Sequence, residues 1–368
     1  MGLADFVYPG ALHTRFHHAL GAMHLMGRTL DNLRDKGHEI SAAEYEAALL
    51  AILLHDIGHG PFSHSLENVL ITNIGHEELS LLLMNRLNEQ FTGALSLALR
   101  MFTDQYPRPF FHQLISSQLD VDRLDYLNRD SFFTGVSEGT IGAERIIKLF
   151  DLVDDHIVVE EKGIYSVENF LNARRLMYWQ VYLHKTGLAA DRMLVKLIER
   201  ARKLIQANID LPPTSITNYL NPGAKPQDFT GTAGLLDSFS ALDDHDVWFA
   251  VKQWQQSDDR LLAWLSKSFI NRRLFKIKLT GEVAQAFATE TIARLKEKTG
   301  LADEELSFLY DQGAISNAAY IKTGQKIKLL QKSGEVINIE DATDLPNIKA
   351  MSRIVTKNYI CWANEILL

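Results

Sequence analysis

A helix that is apolar on nearly every face constrains the fold of this 368-residue chain more than any other feature. Ser41 and Glu44 form the pattern of a capping box, and the residues that follow would be apolar all round a helix: Tyr45, Ala48, Leu49, Ile52 and Leu53. Such a helix is stable only when it is buried. Because it ends at Gly58, directly after His55 and Asp56, we expect a helical core that presents a His-Asp pair where the chain turns.

Apolar residues at helical spacing predict that the first two hundred residues are wholly helical. The predicted helices are residues 14–34, Glu77–Asn88, Leu95–Phe102, Phe110–Asp130, Val167–Lys185 and Ala190–Ala207. The segment Leu211–Gly234 is rich in proline and glycine, which predicts a loop or a lobe boundary. More helix is expected around Val247–Phe269.

The last hundred residues have a different pattern. Alternating residues in Arg273–Leu279, two short runs within Lys326–Ile339 around Ser333-Gly334, and Arg353–Trp362 predict strands. The fold class is therefore expected to be mainly α, with a small mixed α/β C-terminal appendage. We expect a helical core over residues 1–210, a boundary over 211–235, and a helical continuation with a small α/β region over 236–368.

Composition excludes several classes of protein. A formal net charge of −8 disfavours broad binding to nucleic acid, because such binding needs surplus Lys and Arg. The lone cysteine, Cys361, rules out an intrachain disulfide and a cysteine-built zinc site. The longest strongly apolar run, Ala47–Leu54, is too short to cross a bilayer, and no export signal is evident. We expect a cytoplasmic protein without a membrane partner.

Histidines are concentrated near the N-terminus, with nine of the thirteen in the first 76 residues. The pair His55-Asp56 supplies too few ligands for a catalytic metal, so further ligands must come from elsewhere in the fold. Two segments offer them, Arg15-Phe16-His17-His18 on the preceding predicted helix and Asp120–Tyr126 on a later one. Two imidazoles and two carboxylates favour one divalent transition metal, namely manganese, iron or zinc. They leave coordination positions for water and a phosphate oxygen.

Helical spacing adds candidate residues around this centre. If Asp122 faces the metal, then Tyr126, Arg129 and Asp130 follow on nearly the same face of the helix and can line one groove. Glu67 lies three residues after His64 and could orient its ring, and Glu77 directly follows His76. Either histidine could then be the general acid.

Four motifs carry a family resemblance. They are Tyr8-Pro9-Gly10-Ala11, Arg15-Phe16-x-His18, the run from His55-Asp56 through Gly58-His59-Gly60-Pro61-Phe62-Ser63-His64, and Asp120-Val121-Asp122-Arg123-x-Asp125-Tyr126. The chain resembles the HD-domain phosphohydrolases over roughly residues 5–265, and within them the deoxynucleoside triphosphate triphosphohydrolase branch. Tyr182-x-His184-Lys185 extends the likeness.

The resemblance implies a role for each matching residue. Metal ligands would be His18, His55, Asp56 and Asp122, and groups around the reacting phosphate would be His59, His64 and His76. Arg15 and Arg123 would contact the phosphate chain. Residues near the sugar or more distant substrate groups would be Tyr126, Asp130, Arg174 and Tyr182.

The resemblance further implies a nucleotide substrate, with Mg²⁺ able to accompany it, and a homo-oligomer, either dimer or tetramer. Attack at the α-phosphate would release a deoxynucleoside and triphosphate, with His64 or His76 protonating the leaving oxygen. The chain begins at Met1, near what resembles the middle of the family's first block, so we expect the relatives' upstream base-contacting and sugar-contacting segment to be absent.

Two other hypotheses stand beside this one. The first is an HD phosphohydrolase or phosphodiesterase that acts on a nucleoside monophosphate, a cyclic nucleotide or an alarmone. The second is a metal-containing scaffold or nucleic-acid-binding protein with little activity, which the complete ligand set and the two arginines disfavour. A second pair, His245-Asp246, is interpreted as the acidic first turn of a helix rather than a metal site.

Overall fold

The computed structural model describes residues 2–67, 69–71, 74–220, 229, 233–280, 285–317, 325–342 and 354–364. Within these ranges, the side chains of His64, Ala233, Thr280 and Gln285 are not described. The protein is mainly helical with two small sheets, which confirms the predicted fold class. Among the described helices, none combines the length and the apolar composition needed to cross a bilayer.

Helices dominate the first 206 residues. They are α1 (Arg15–Asp35), α2 (Ala42–Leu54), α3 (His76–Gln90), α4 (Ser96–Phe102), α5 (Phe110–Ile115), α6 (Val121–Thr134), α7 (Ala143–Leu149), α8 (Ile164–Met177) and α9 (Lys185–Gln206). The predicted capping box is confirmed, because Ser41 Oγ accepts from the Glu44 backbone N–H while the Glu44 carboxylate accepts from the Ser41 N–H. The cap therefore begins α2 where the sequence predicted it.

A β-hairpin interrupts the helices, so the prediction of a wholly helical first two hundred residues is wrong. Strands β1 (Phe150–Val153) and β2 (His156–Glu160) pair antiparallel. Asp154 and Asp155 join them at φ values of 51° and 55°, the left-handed turn that matches the twist of paired strands. Aspartate tolerates this conformation, so the turn forms without the glycine or asparagine that would have indicated it in the sequence.

Two predicted helices are divided in the structure, and the third helical region contains two helices. The Phe110–Asp130 helix breaks into α5 and α6, because Asp120 is extended and its carboxylate caps α6. The Val167–Lys185 helix stops at Met177 and continues as a π-helical turn, Tyr178–Tyr182. Around Val247–Phe269 there are two helices, and the carboxylate of Asp259 caps the second by accepting from the Leu262 N–H at 2.7 Å.

The C-terminal part adds helices α10 (Thr217–Leu220), α11 (Ala233–Ser240), α12 (Asp244–Trp254), α13 (Arg260–Ile270), α14 (Gln285–Thr299) and α15 (Asp303–Leu306). The strands are β3 (Lys276–Thr280), β4 (Tyr310–Asn317), β5 (Lys328–Leu330), β6 (Val336–Asn338) and β7 (Val355–Trp362). The predicted strands are thus confirmed where they are described, while Arg353 lies outside that part. The Leu211–Gly234 prediction of a loop misses the short helix α10, and most of the remainder of that segment is not described.

The two sheets are arranged differently. The order β1-β2-β5-β6 joins the early hairpin to the late one through a parallel pairing of β2 with β5. The second sheet has β7 in its centre, antiparallel to both β3 and β4. The division of the chain at residues 210 and 235 stays a prediction.

Two hydrophobic cores meet near the His-Asp turn. Ile52 of α2 is fully buried in the core that also contains α1 and α5 to α8. Phe62, ten residues later, belongs to the other core, with α9 and helices α12 and α13. The turn between these two residues therefore passes from one core to the other. Concave binding sites commonly form at such boundaries.

Candidate metal centre and active site

A tightly packed turn after α2 positions His55 and Asp56. A Cβ atom at Gly58 would lie 2.2 Å from the backbone nitrogen of Ser80 and 2.3 Å from the carbonyl oxygen of His76. The Gly58 N–H also donates to Ser80 Oγ at 2.9 Å. Only glycine lets the turn pack this closely on α3, and this packing fixes the two side chains that precede it.

Close packing of α1 on α6 brings His18 to the same place. A Cβ at Gly21 would lie 2.0 Å from Asp125 Oδ1 and 2.1 Å from Arg129 Nη2, so a larger residue would displace these two side chains. Nε2 of His18 lies 3.0 Å from Asp122 Oδ1. Gly21 therefore leaves room for Asp125 and Arg129 beside His18.

The structure brings the four predicted ligands together. Ligand atoms of His18, His55 and Asp56 all lie within 4.8 Å of one another. Nε2 of His55 lies 3.4 Å from an oxygen of Asp56 and 3.4 Å from Asp122 Oδ1. The prediction that distant segments converge on the His-Asp pair is thus matched by the distances.

Both histidines are oriented so that Nε2 faces the other predicted ligands. Nδ1 of His18 donates to Asp125 Oδ2 at 2.8 Å, and Nδ1 of His55 donates to the Ile52 carbonyl at 2.6 Å. Such bonds on the outer nitrogen fix the tautomer of metal-binding histidines. Nε2 of His55 is buried and makes no hydrogen bond within the described part of the chain. This residue set fits a divalent metal.

Negative charge controls the protonation of this group. Burial would lower the pKa of His18, but the Asp122 and Asp125 carboxylates raise it to about 10. Burial would likewise lower the pKa of His55, yet Asp122 and Asp56 raise it. Burial would raise the pKa of Asp122, whereas the two imidazoles beside it lower that pKa. The carboxylates therefore stabilise a cation at this point.

Two arginines flank the ligands. Arg15 donates to Asp56 through Nη1 and to Ser63 Oγ through Nε at 2.9 Å. Arg123 donates to Asp120, while its own Nε is buried without a hydrogen bond among the described residues. A buried guanidinium with an unused donor is suited to an anionic ligand.

The histidines expected near the phosphate form a stack. The rings of His59 and His76 lie 3.9 Å apart and nearly parallel, and Nε2 of His59 is 3.5 Å from Asp56 Oδ1. Glu67, which the sequence placed beside His64, accepts from Nδ1 of His76 at 2.6 Å. Glu77 lines the adjoining cavity. The predicted contact of His64 concerns a side chain that the structure does not describe.

A cavity of about 1110 Å³ opens on the candidate metal ligands and extends along α6. Tyr126 and Asp130, one and two turns beyond Asp122, line it as the helical spacing predicted. Tyr182 also lines it and donates to Asp130 Oδ2 at 2.6 Å. Its position follows from the π-helical turn, a feature that often occurs at functional sites.

Among the predicted residues whose side chains are described, two do not line this cavity. Arg174 is buried and donates to Gln118 through Nη1 at 3.4 Å, and its Nε has no hydrogen bond to any described residue. Glu67 lies behind His76, where it lines a smaller cavity of about 30 Å³. The predicted direct contact of Arg174 with substrate stays a prediction.

Sequence reasoning missed two residues with clear contacts. Asp125 orients the His18 ring and is itself held by Arg129 at 2.8 Å. Its position three residues after Asp122 was the available signal. His13 contacts Asp130, and nothing in the spacing of the chain indicated this.

Comparisons with known proteins agree with this geometry. Residues 15–130 match the model of the HD domain, and residues 141–219 match that of the HD associated region. A crystal structure of a phosphohydrolase from Bacteroides thetaiotaomicron is 45% identical and covers 99% of this chain and 91% of its own, with a TM-score of 0.93.

Curated relatives extend the comparison. The uncharacterized protein YwfO of Bacillus subtilis is 30% identical over 346 residues, which is 91% of this chain and 78% of that protein. The deoxynucleoside triphosphate triphosphohydrolase SAMHD1 homologue of Dictyostelium discoideum is 28% identical over 57% of this chain and 45% of its own length. Matched family regions, a near-complete structural relative and a His-His-Asp group together show that this chain belongs to the HD-domain family of metal-dependent phosphohydrolases.

Proposed function

We propose that this protein hydrolyses deoxynucleoside triphosphates to a deoxynucleoside and triphosphate. The observation that carries the proposal is that one cavity has two chemically different ends. His18, His55 and Asp56 line it together with Arg15 and Arg123, whereas Tyr126, Asp130 and Tyr182 line it farther along α6. A cationic end suits a phosphate chain, and a carboxylate with phenols suits a sugar. The named triphosphohydrolase relative supports the same substrate class.

The metal would be held by His18, His55, Asp56 and Asp122. Two imidazoles and two carboxylates suit manganese, iron or zinc better than calcium or magnesium, although Mg²⁺ could enter with the nucleotide. A divalent ion held there would polarise a phosphoryl oxygen and lower the pKa of a water molecule. Asp125 and the Ile52 carbonyl fix the two imidazole rings for this task.

The arginines would stabilise negative charge on the phosphate chain. Asp120 and its contact with Arg123 fix that guanidinium at the start of α6. Ser63 fixes Arg15 in a loop where Phe62 and Ser63 both have positive φ, 52° and 47°. Strained backbone of this kind persists at functional sites when surrounding contacts hold it. Here the Phe62 N–H donates to Asp244 Oδ1 at 2.7 Å.

Proton delivery would fall to the stacked histidines. Glu67 accepts from Nδ1 of His76 and so orients this ring, which would pass a proton to a leaving oxygen. His59 lies against that ring and near Asp56. We keep His64 and Glu77 as further candidates from the sequence motif.

The sugar would lie against the two tyrosines. Their rings are 6.1 Å apart at a steep angle, and the Tyr126 ring is 6.5 Å from that of His18. These rings form a continuous path from the metal ligands to Asp130. Arg174, which donates to Gln118, would act indirectly by packing behind the residues that line the cavity.

The test is an assay of the purified protein with Mn²⁺ and each of the four deoxynucleoside triphosphates, with products separated by ion exchange. We expect deoxynucleoside and triphosphate in equal amounts, and no turnover by Asp56→Ala. Release of monophosphate, or turnover only of cyclic nucleotides, monophosphates or alarmones, would reject the proposed reaction. Light scattering of the same sample would test the proposed dimer or tetramer.

A further inference from the structure

The histidine loop, residues 58–65, is held by a helix that supplies no predicted site residue. The carboxylate of Asp244, in the first turn of α12, accepts from the Phe62 N–H at 2.7 Å. One turn later on the same helix, the Trp248 ring packs edge-on against the Phe62 ring, with centroids 5.9 Å apart. Two side chains of α12 therefore hold both the backbone and the ring of one loop residue.

Three carboxylates lie at the start of α12, and Asp244 differs from the other two in its contact. Asp243 and Asp246 form the capping box and accept backbone N–H groups of their own helix. Asp244 instead accepts from a residue 182 positions earlier in the chain. Phe62 is only 3% exposed, so removal of this carboxylate would leave the N–H of a buried residue without its protein acceptor.

The backbone at Phe62 and Ser63 requires such support. Both residues have positive φ, 52° and 47°, which non-glycine residues adopt only where neighbouring contacts hold them. Ser63 Oγ accepts from Arg15 Nε at 2.9 Å, and the same guanidinium donates to Asp56. A chain of contacts thus runs from α12 through the histidine loop to the arginine beside the metal ligands.

We propose that Asp244 is a positioning residue for catalysis, because it fixes the Phe62-Ser63 turn and so holds the Arg15 guanidinium in place for the substrate phosphate. The inference rests on the proposed hydrolytic function for the role of Arg15, but it does not depend on which nucleotide is hydrolysed. The described residues that line the 1110 Å³ cavity do not include Asp244. Asp244 therefore acts through the loop and not by touching the substrate.

Four variants separate this role from the stability of α12. Asp244→Ala removes the acceptor, whereas Asp244→Asn keeps a carbonyl oxygen that can accept from the Phe62 N–H. Asp246→Ala is the matched control, because it removes a carboxylate of the same turn that accepts within the capping box. Ser63→Ala removes the contact between the loop and Arg15.

The measurements are kcat and KM for dATP and for the sugar-free ester bis(4-nitrophenyl) phosphate. We expect Asp244→Ala to lower kcat/KM about tenfold on both substrates, and Asp244→Asn to recover most of that loss. Asp246→Ala should change kcat/KM less than about twofold. A variant with both Asp244→Ala and Ser63→Ala should lose little more than Ser63→Ala alone, because the two residues act on Arg15 through one path.

Two further measurements exclude a merely structural role. Thermal unfolding checks that each variant is folded, and Ser65 Oγ, which donates to Asp191 Oδ1 at 2.8 Å, gives the loop a second anchor. If Asp244→Ala does not fold, Asp244→Glu replaces it, because the longer side chain keeps the charge but misplaces the oxygens. Paramagnetic resonance should show Mn²⁺ affinity within about threefold of the wild type in Asp244→Ala, since the predicted ligands are unchanged.

Several outcomes would overturn the inference. Equal activity of Asp244→Ala and Asp246→Ala, no recovery in Asp244→Asn, or losses that multiply in the double variant with Ser63→Ala would each contradict it. If the wild-type protein cleaves neither substrate, the proposed function fails by itself. Calorimetric binding of inorganic tripolyphosphate then decides on Asp244. Weaker binding by Asp244→Ala than by Asp246→Ala would support its role, and equal binding, or none by the wild type, would refute it.

Discussion

The chain contains the dipeptide His-Asp twice. The two copies differ in their exposure, in the helix end at which they lie and in the side chains around them. His55-Asp56 follows the C-terminal end of buried α2 and lies beside His18 and Asp122. His245-Asp246 begins α12, and the His245 side chain is 91% exposed. A His-Asp pair therefore indicates a metal site only through the helix end it occupies and the side chains around it.

The second pair lies within the N-terminal cap of its own helix, α12. Asp246 accepts from the Asp243 N–H at 2.9 Å, and Asp243 accepts from the Asp246 N–H at 3.3 Å and from the His245 N–H at 2.8 Å. This arrangement is a capping box, and it confirms the interpretation of His245-Asp246 as the acidic first turn of a helix. In the first pair, by contrast, His55 Nε2 is buried without a hydrogen bond among the described residues.

The largest effect should come from deleting the carboxylate of each pair. Asp56→Ala should lower kcat for dATP and for bis(4-nitrophenyl) phosphate more than about 100-fold, because ligands matter more than the residues that orient them. Asp246→Ala should change either rate less than about twofold. Steady-state kinetics with saturating Mn²⁺ provides the comparison. Similar losses in the two variants would show that the pairs are not functionally distinct.

The next largest difference is expected in Mn²⁺ affinity, when the carboxylate that contacts the imidazole of each pair is changed. Asp125→Asn removes the charge that orients His18 and should weaken Mn²⁺ binding about 10- to 100-fold. Asp243→Asn alters the matching carboxylate, which lies 3.3 Å from the His245 ring, and should leave the affinity unchanged. Titration with Mn²⁺ followed by paramagnetic resonance measures both. If Asp125→Asn binds Mn²⁺ as tightly as the wild type, the result would contradict the role of His18 as a metal ligand oriented by Asp125.

The cap of α2 should affect stability and not chemistry. Burial would raise the pKa of Glu44, but hydrogen bonds from Arg108, Ser41 and Tyr106 lower it to about 2. Glu44→Gln should therefore lower the free energy of unfolding by about 1–3 kcal/mol at pH 7 and leave kcat nearly unchanged. A depressed pKa stabilises the folded state above the ordinary value of 4.5 and loses this effect as pH falls toward 2.

Urea unfolding of the wild type and Glu44→Gln at pH 7, 5 and 4 measures this dependence. The gap between their free energies of unfolding should be widest at pH 7 and should narrow at pH 4. A gap that is constant or widens as pH falls would mean that the ionised carboxylate does not provide the stability.

The smallest effect is expected at the cap of α12. Asp246→Asn removes the charge but retains an oxygen acceptor, so unfolding should become easier by about 0.5 kcal/mol. Thermal unfolding with the Glu44→Gln variant in parallel tests whether the buried cap matters more than the exposed one. Metal content should stay equal to that of the wild type. A loss of metal from Asp246→Asn would contradict the structural role of this pair.

Local patterns predicted the parts of the site that are built from adjacent residues. The capping box, the end of α2 at His55-Asp56 and the row Asp122, Tyr126 and Asp130 all follow from helical spacing. The fold class followed from the same periodicity. The family resemblance predicted that His18 and Asp122 lie beside His55-Asp56. Residue spacing alone was compatible with this arrangement but did not predict it.

Local sequence patterns could not predict contacts between residues that are far apart in the chain. The contacts of His13 with Asp130 and of Glu67 with His76 depend on how separate elements pack. The β1-β2 hairpin was missed because its turn is Asp154-Asp155, where two residues take positive φ without glycine. The π-helical turn at Tyr178–Tyr182 likewise has no signature in apolar spacing.

The most direct test of the central claim is anomalous diffraction from crystals soaked in Mn²⁺. We expect one strong peak about 2.0–2.3 Å from Nε2 of His18 and His55 and from carboxylate oxygens of Asp56 and Asp122. We expect no peak at His245-Asp246. Absence of density between the four ligands, or a peak at the exposed pair instead, would contradict the assignment of the metal centre.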